Sequence, residues 1–501
     1  MPREVVIVCD CGSTNITVTA VDPGGRLVAS ASRANESVPQ PGKPQGWIIW
    51  DLEALFERIG DACREVMGQL ADTQIVAVTV DTWGADGAPV RADGSLTYPV
   101  ICWQDCRTEG LVASISDRIS PWELFQTTGY QVIPFNTLLR LIWLRENEPA
   151  ALEEACCWMM TAGLLSHRLC GEMSIDPTAA GTMMAMDMAR RDWSPRMLAL
   201  AGLDASFFPR WTEPGQIIGR MHAAAAQATG LPVGTPVVAA GHDTQFAAVG
   251  CGGKPGEAIL SSGTWEILML RHDRFAPNRR GFEEGLLYEC DAEPGLWNPQ
   301  LLMMGSGVLE WLRDGFFADL AGRSDAYDVM ISEARAFPAG SGGVTVLPCF
   351  VAEAGPSKKH HTKGTILGLE ITTARGQLYR AALEGLSFQL RHALEVLADA
   401  TGFEAKGIRA VGGGSRNALW NQIRADVTGL PITITEQKEA TALGAAMFAF
   451  VGAGVFASVA EAQAAMSVGE SIVEPGPEAS AYADLYAAYR ALLPALEPHY
   501  R

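Results

Sequence analysis

The chain has 501 residues, 48% of them hydrophobic, and at that length a single core gives way to separate domains, so two domains are expected. Its 38 Lys and Arg against 57 Asp and Glu leave a net charge of −19, which repels phosphate backbones and anionic lipid and speaks against nucleic acid and membrane partners. Eleven cysteines without a C-x-x-C pair fit a reducing, cytoplasmic setting, and Met1 to Asp10 lacks the apolar core and cleavage site of an export signal.

Val5 to Val8 is a β-branched run that predicts a strand, and Asp10-Cys11-Gly12-Ser13-Thr14-Asn15 supplies turn chemistry. Ile16, Val18 and Ala20 then alternate with polar residues, which completes a strand, turn, strand unit. Asp51 stands as N-cap before Leu52, Leu55, Phe56, Ile59, Cys63, Val66 and Met67, whose three-and-four spacing predicts a helix packed by one face. Ile75 to Val80 predicts a buried strand, and Val237 to Ala240 another that ends in Gly241-His242-Asp243-Thr244-Gln245. Gly250, Gly252, Gly253, Pro255 and Gly256 mark a domain boundary, with the freedom of a hinge. Just beyond it, Ala258-Ile259-Leu260 leads through Ser261-Ser262-Gly263-Thr264 into Trp265 to Leu270, a second copy of the first unit. Lys358-Lys359-His360-His361 reads as a solvated loop. Thr441 to Ala460 carries no charge and approaches a membrane span in length, but its glycines predict a closely packed buried helix ending in a Gly-x-Gly turn. Strands alternating with amphipathic helices predict α/β architecture with a parallel or mixed sheet in each half.

The common nucleotide and hydrolase signatures are missing. Proline follows Gly42-Lys43 and Gly253-Lys254, so neither is a P-loop, and Asn417 replaces the last glycine of a dinucleotide fingerprint in Gly412-Gly413-Gly414-Ser415-Arg416-Asn417. No Gly-x-Ser-x-Gly elbow or His-Glu-x-x-His helix supplies a hydrolytic nucleophile or zinc. Phosphoryl transfer on another scaffold remains. Gly12 to Asn15 can aim successive amides and hydroxyls at phosphate oxygens, or form an ordinary turn, and the second copy at Ser262-Gly263-Thr264 favours the anion nest. Asp10, at a strand end, could hold Mg²⁺ through water. Asp243, also at a strand end, could take a hydroxyl proton or simply cap a helix. The segments 81–87 and 103–107 combine carboxylates with an indole, as sugar sites do, or else hold a core tryptophan and an Asp105–Arg107 surface pair.

Taken together, the segments 241–246, 261–269, 305–311 and 411–423 resemble motifs of the FGGY carbohydrate kinases, as do 81–84 and 134–138, and the likeness runs over nearly the whole chain. The resemblance implies an α/β fold of two actin-like ATPase, ribonuclease H-like domains with an interdomain cleft. Residues 1–249 would carry the sugar and one phosphate hairpin, and residues 250–501 the ATP. By the same resemblance, ATP would meet Gly12, Ser13, Thr14, Asn15, Ser262, Gly263, Thr264, Gly305, Glu310, Gly412, Gly413, Gly414 and Asn417, and Asp10 would hold Mg²⁺. The sugar would meet Gly84, Asp86, Trp103, Asp105, Phe135, Asn136, His242 and Asp243, with Asp243 as base. The acceptor implied is the C1 hydroxyl of a ketose, L-fuculose, with L-rhamnulose the near alternative. The partners implied are that ketose and ATP in the cytoplasm, and the sequence leaves the oligomeric state open, a homodimer among the options. Many members carry a Gly-Glu-Arg loop after a Leu-Pro strand, whereas Ala352-Glu353-Ala354-Gly355-Pro356 follows Leu347-Pro348 here. A catalytically silent sugar sensor and an actin-like filament protein are the non-enzymatic alternatives. Intact Asp10, Asp243 and both hairpins disfavour the first, and the Trp/Asp segments the second.

Overall fold

A computed structural model describes residues 2–254, 256–351, 360, 362–435, 439–467 and 469–500. The segment 352–356 and all of the basic run 358–361 except His360 therefore lie outside the described residues. The β-branched opening run forms β1 (Arg3–Cys11), and β2 (Asn15–Val21) and β3 (Leu27–Ala34) follow antiparallel. Helix α1 (Leu52–Gln69) starts where the sequence predicts, with Asp51 accepting hydrogen bonds from the Glu53 and Ala54 amides at 3.1 Å. After it come β4 (Thr73–Thr82), α2 (Thr161–Cys170), β5 (Ile217–Arg220), β6 (Pro236–His242) and α3 (Asp243–Gly250). The second half supplies β7 (Glu257–Ser262), β8 (Trp265–Met269), β9 (Trp297–Met304), α4 (Ser306–Phe316) and α5 (Arg375–Thr401). It closes with β10 (Gly407–Val411), α6 (Ala418–Thr428), β11 (Ile432–Thr435), α7 (Ala440–Gly452) and β12 (Glu470–Val473).

Strand order reveals the duplication. In the first sheet β3-β2-β1 run antiparallel, β1, β4 and β6 lie parallel, and β5 closes antiparallel. The second sheet repeats this with β9-β8-β7 antiparallel, β7, β10 and β11 parallel, and β12 antiparallel at the end. Two copies of one mixed sheet with covering helices make the actin-like, ribonuclease H-type architecture.

By packing, the chain forms two compact units: Met1–Gly252 with Tyr288–Asn298 and Glu439–Val468, and Gly253–Leu287 with Pro299–Lys438 and Gly469–Arg501. The linear division at 249/250 read from sequence is thus re-crossed twice. The first unit shows why. Alternate side chains of β1 face opposite ways. Ile7 and Cys9 pack with Leu52, Leu55 and Ile59 of α1, while Val6 and Val8 pack with Leu443, Met447 and Phe450 of α7. Without α7 the second face would be bare. Helix α7 is the packed helix predicted at 441–460, though it stops at Gly452 and the chain turns at Gly454 before a separate helix begins at Val459. Among the described residues, no helix is long and apolar enough to cross a membrane. Gly250, read as a hinge glycine, instead closes α3 and crosses α7 at Gly444, where a Cβ on either residue would overlap backbone of the other helix.

Candidate active site

In the first unit β1, β4 and β6 are parallel neighbours, and their register sets Asp10 beside Asp81 and His242 beside Thr82. Their carboxyl ends therefore bring three acids together, because Asp243 follows directly as the first residue of α3. Carboxyl ends of strands are where open α/β sheets take ligands. The crowding is electrostatically costly. Burial, then the charge of Asp243, raises Asp10 to about 7, against a hydrogen bond from Asp81 that lowers it. Burial, then Asp10 and Asp243, holds Asp81 well above the carboxylate range.

Asp243 is enclosed by protein yet keeps 29% of its side-chain surface open. Burial pushes its carboxyl up, while the His242 charge and bonds from the Thr244 amide and hydroxyl pull it down. The sequence left Asp243 open between base and helix cap. In the structure the cap position belongs to His242, and Asp243 stands one residue inside the helix. The His242 amide donates to Thr178 Oγ1, whose hydroxyl donates to Asp176. Gly241 leaves room for that pair, since a Cβ there would overlap both side chains. At Gly84 a Cβ would come within 2.8 Å of Thr182 and 3.2 Å of the His242 ring.

The remaining residues expected at the sugar divide into two groups. Trp103 is 39% exposed and Phe135 half-buried. Asp86 corrects the sequence expectation. It is wholly buried, and its carboxylate accepts Trp50 Nε1 at 2.6 Å, Trp83 Nε1 at 2.7 Å, the Trp103 amide at 3.1 Å and Arg140 Nη1 at 2.8 Å. Asp105 does so too, being held by Arg107 through two bonds of 2.7 Å. Arg107 lies over the rings of Trp47 and Trp143 and bonds Tyr98 and Gln40, so the expected surface pair is a core one. Asn136 is buried, accepting the Ile133 amide at 2.7 Å. These three are bonded within the protein: Asp86 by Arg140, two indoles and the Trp103 amide, Asp105 by Arg107 and the Ile48 amide, and Asn136 by the Ile133 amide.

The β1–β2 turn is closed by Gly12 N–H to the Asn15 carbonyl at 2.8 Å, and braced by Asn35, whose Nδ2 donates to the Gly12 carbonyl at 2.9 Å. Among the described residues nothing accepts from the Ser13 or Thr14 amides, as an anion nest requires. In the second unit the β7–β8 turn is pinned by the start of α4: Gly305 and Gly307 donate to the Thr264 carbonyl at 3.0 and 3.2 Å, and Ser306 to that of Gly263 at 2.8 Å. Beside it a cavity of about 470 Å³ is lined by Gly263, Thr264, Glu310, Tyr379, Gly413, Gly414, Asn417 and Trp420, among others. Six residues named from sequence for ATP thus share one cavity. Asn417 caps α6 through the Trp420 amide at 3.0 Å and donates to Tyr379 at 3.2 Å. Ser262 departs from expectation: it is buried, its hydroxyl donates to Glu266 at 2.7 Å and accepts from Arg424. Gly412, at φ 88°, and Gly414 permit that packing, since a Cβ on either would strike Ser262.

The sequence placed Asp81 only within the 81–87 segment and not beside Asp10, and it did not single out Asp176 or Glu289. Asp81 carried a usable signal, an acid closing an apolar run as Asp10 does; Glu289 carried none, because it reaches the site from Tyr288–Asn298. Family models for the FGGY family of carbohydrate kinases match residues 5–250 (N-terminal domain) and 258–453 (C-terminal domain). The chain is 42% identical over 464 residues to L-fuculokinase of Salmonella typhi, covering 93% of this chain and 96% of that protein. It is 28% identical over 497 residues to autoinducer-2 kinase of Escherichia coli strain K12, covering 95% and 91%. The crystal structure of xylulose kinase from Rhodospirillum rubrum matches with a TM-score of 0.89 at 25% identity, over 99% of each chain.

Proposed function

The chain belongs to the FGGY family of carbohydrate kinases, and from that premise we propose that it moves the γ-phosphoryl group of ATP to the C1 hydroxyl of L-fuculose, giving L-fuculose 1-phosphate and ADP. The observation that carries the chemistry is Asp243, an open carboxylate at the ends of parallel strands, next to the acid pair Asp10 and Asp81. Its carboxylate takes the C1 hydroxyl proton as the oxygen attacks the γ-phosphorus, and the bond to the β-phosphate oxygen breaks. Positioning and charge stabilisation supply most of such a rate, and the base typically about 10² to 10⁴-fold.

Gly84, Trp103, Phe135 and His242 face the sugar, with Asp86, Asp105 and Asn136 fixing them from beneath. The cavity of the second unit takes the adenosine end of ATP, with Tyr379 and Trp420 as apolar walls and Asn417 as polar anchor. The turn amides of Ser13 and Thr14 take phosphate oxygens. The crowded Asp10 and Asp81 suit a divalent cation and would hold Mg²⁺ through water. Bound with ATP, Mg²⁺ neutralises charge on the phosphates. The enzyme is read as cytoplasmic from its eleven cysteines, and light scattering decides whether it forms a homodimer.

The decisive assay ranks L-fuculose, L-rhamnulose, L-ribulose, D-xylulose and glycerol by kcat/KM with Mg-ATP, following ADP release with and without sugar. L-Fuculose is expected to lead; another leader reassigns the acceptor, and no sugar-dependent ADP means a sensor. Asp243→Asn is expected to bind ATP as before and to lose at least about 10² in kcat. Near-normal turnover removes Asp243 from the role.

A further inference from the structure

Glu289 comes to the first unit from Tyr288–Asn298, far along the chain, and is 2% exposed. Its Oε1 accepts the Tyr130 hydroxyl at 2.7 Å and its Oε2 accepts Gln245 Nε2 at 2.6 Å. The same Oε2 lies 3.2 Å from His242 Nδ1, an ion-pair separation off the hydrogen-bond line. The other ring nitrogen, Nε2, lies 3.3 Å from Asp243 Oδ1. His242 thus stands between two carboxylates, one at each nitrogen. A neutral imidazole carries one N–H and leaves a lone pair facing the second carboxylate, whereas an imidazolium presents an N–H to both. Tyr130 and Gln245 hold the Glu289 carboxylate in place, and Gly84 leaves the ring the space it occupies.

We infer that Glu289 is a positioning residue for phosphoryl transfer, keeping the His242 ring protonated and fixed against Asp243 so that Asp243 stays ionised among its acidic neighbours. The inference rests on the reading of Asp243 as base. The charged groups facing His242 are Glu289, Asp243 and Asp176, and the charge of Asp243 in turn acts on Asp10 and Asp81. Burial favours the neutral ring, but the Glu289 charge first, then Asp243 and Asp176, outweighs it and carries His242 to about 9. Removing Glu289 has two opposed effects on Asp243. Loss of its negative charge alone would lower Asp243; loss of the adjacent imidazolium raises it, and the nearer group wins.

Histidine-labelled protein, with His242 assigned through His242→Gln, gives the ring's titration directly by NMR. In Glu289→Gln its midpoint is expected to fall from about 9 by roughly 1 to 3 pH units. The acid limb of kcat against pH moves upward, so that a one-unit move costs about tenfold at a pH on that limb, with KM for ATP unchanged. Added to His242→Gln, Glu289→Gln is expected to give no upward move of the limb, because that effect passes through the ring, and the direct charge effect that remains moves it slightly downward. Should Glu289→Gln fail to fold, Glu289→Asp, which keeps the charge but withdraws it by one methylene, is read in the same titration and expected to give a partial fall. An unmoved His242 midpoint, an unmoved acid limb, or full additivity in the double variant overturns the inference. If Asp243→Asn is inactive and Glu289→Gln leaves limb and midpoint alone, this inference fails by itself; if Asp243→Asn stays active, the base reading fails.

Discussion

Asp10 carries a charge that the fold disfavours. Its carboxyl sits at about 7 in the folded protein, chiefly through burial and the Asp243 charge, against about 3.9 in an unfolded chain. Between those values the folded state holds a proton that the unfolded state has released, so stability falls as pH rises through the window and levels off above it. Asp10→Asn removes this penalty and also the carboxylate proposed to hold Mg²⁺. The variant is expected to be as stable as the parent below pH 4, more stable at pH 8, and to have lost turnover; urea denaturation at the two pH values and an ADP assay check this. Equal stability at pH 8 would mean that the carboxylate cluster is not strained. The placing of Asp10 and Asp243 at strand ends was legible in the sequence because each follows an apolar run, while that run alone left Asp243 open between base and helix cap. The surroundings of Asp86 were not legible, because Arg140 and Trp50 come from elsewhere in the chain and a carboxylate already satisfied looks the same in sequence as one awaiting a ligand, whereas the partner of Asp105, Arg107, stood two residues away and only its burial was hidden.

Helices α3 and α7 cross with almost no side chain between them. A Cβ at Gly444 would overlap the Phe246 carbonyl, and one at Gly250 the Ala440 carbonyl, so each glycine admits the other helix's backbone. Overpacking a tight core costs typically about 1 to 3 kcal/mol, and here the obstacle is backbone that cannot rotate away. Gly444→Ala is therefore expected to destabilise by at least that amount. It should also lower kcat more than it changes KM for ATP, because α3 begins with Asp243 and must shift to relieve the clash. Thermal denaturation and steady-state kinetics on the one variant test both; a folded variant with parent-like kcat would separate Asp243 from this crossing. Small residues in an uncharged run made α7 legible as a packed helix, but its partner was not. Gly250 lies in a glycine-rich stretch whose composition suits a hinge equally well, and only its position opposite Gly444 decides that it is a packing residue.

Over the whole molecule, the repeat was legible because each copy begins with the same local device, an apolar strand, a Gly-bearing turn and a second strand. The segment exchange between the units was not, because burial links residues more than two hundred positions apart. Val6, Val8, Val238, Ala240, Phe246 and Val249 share one buried cluster with Leu443, Met447, Phe448, Phe450 and Met466. A fragment ending at residue 250 keeps the first set and lacks the second. It also lacks Tyr288–Asn298, and with it Glu289. Burying one large apolar side chain is worth about 1.5 to 3 kcal/mol, so losing the five of the second set removes an amount comparable with the roughly 5 to 15 kcal/mol by which a domain is typically stable. Residues 1–250 expressed alone are accordingly expected to collapse without fixed packing, binding a hydrophobic dye and showing no near-ultraviolet dichroism. Joining residues 439–467 to that fragment through a flexible glycine-serine linker is expected to restore near-ultraviolet dichroism and a cooperative melt, since it returns the missing half of the cluster. A fragment 1–250 that melts cooperatively by itself would show that the first sheet holds its shape without α7.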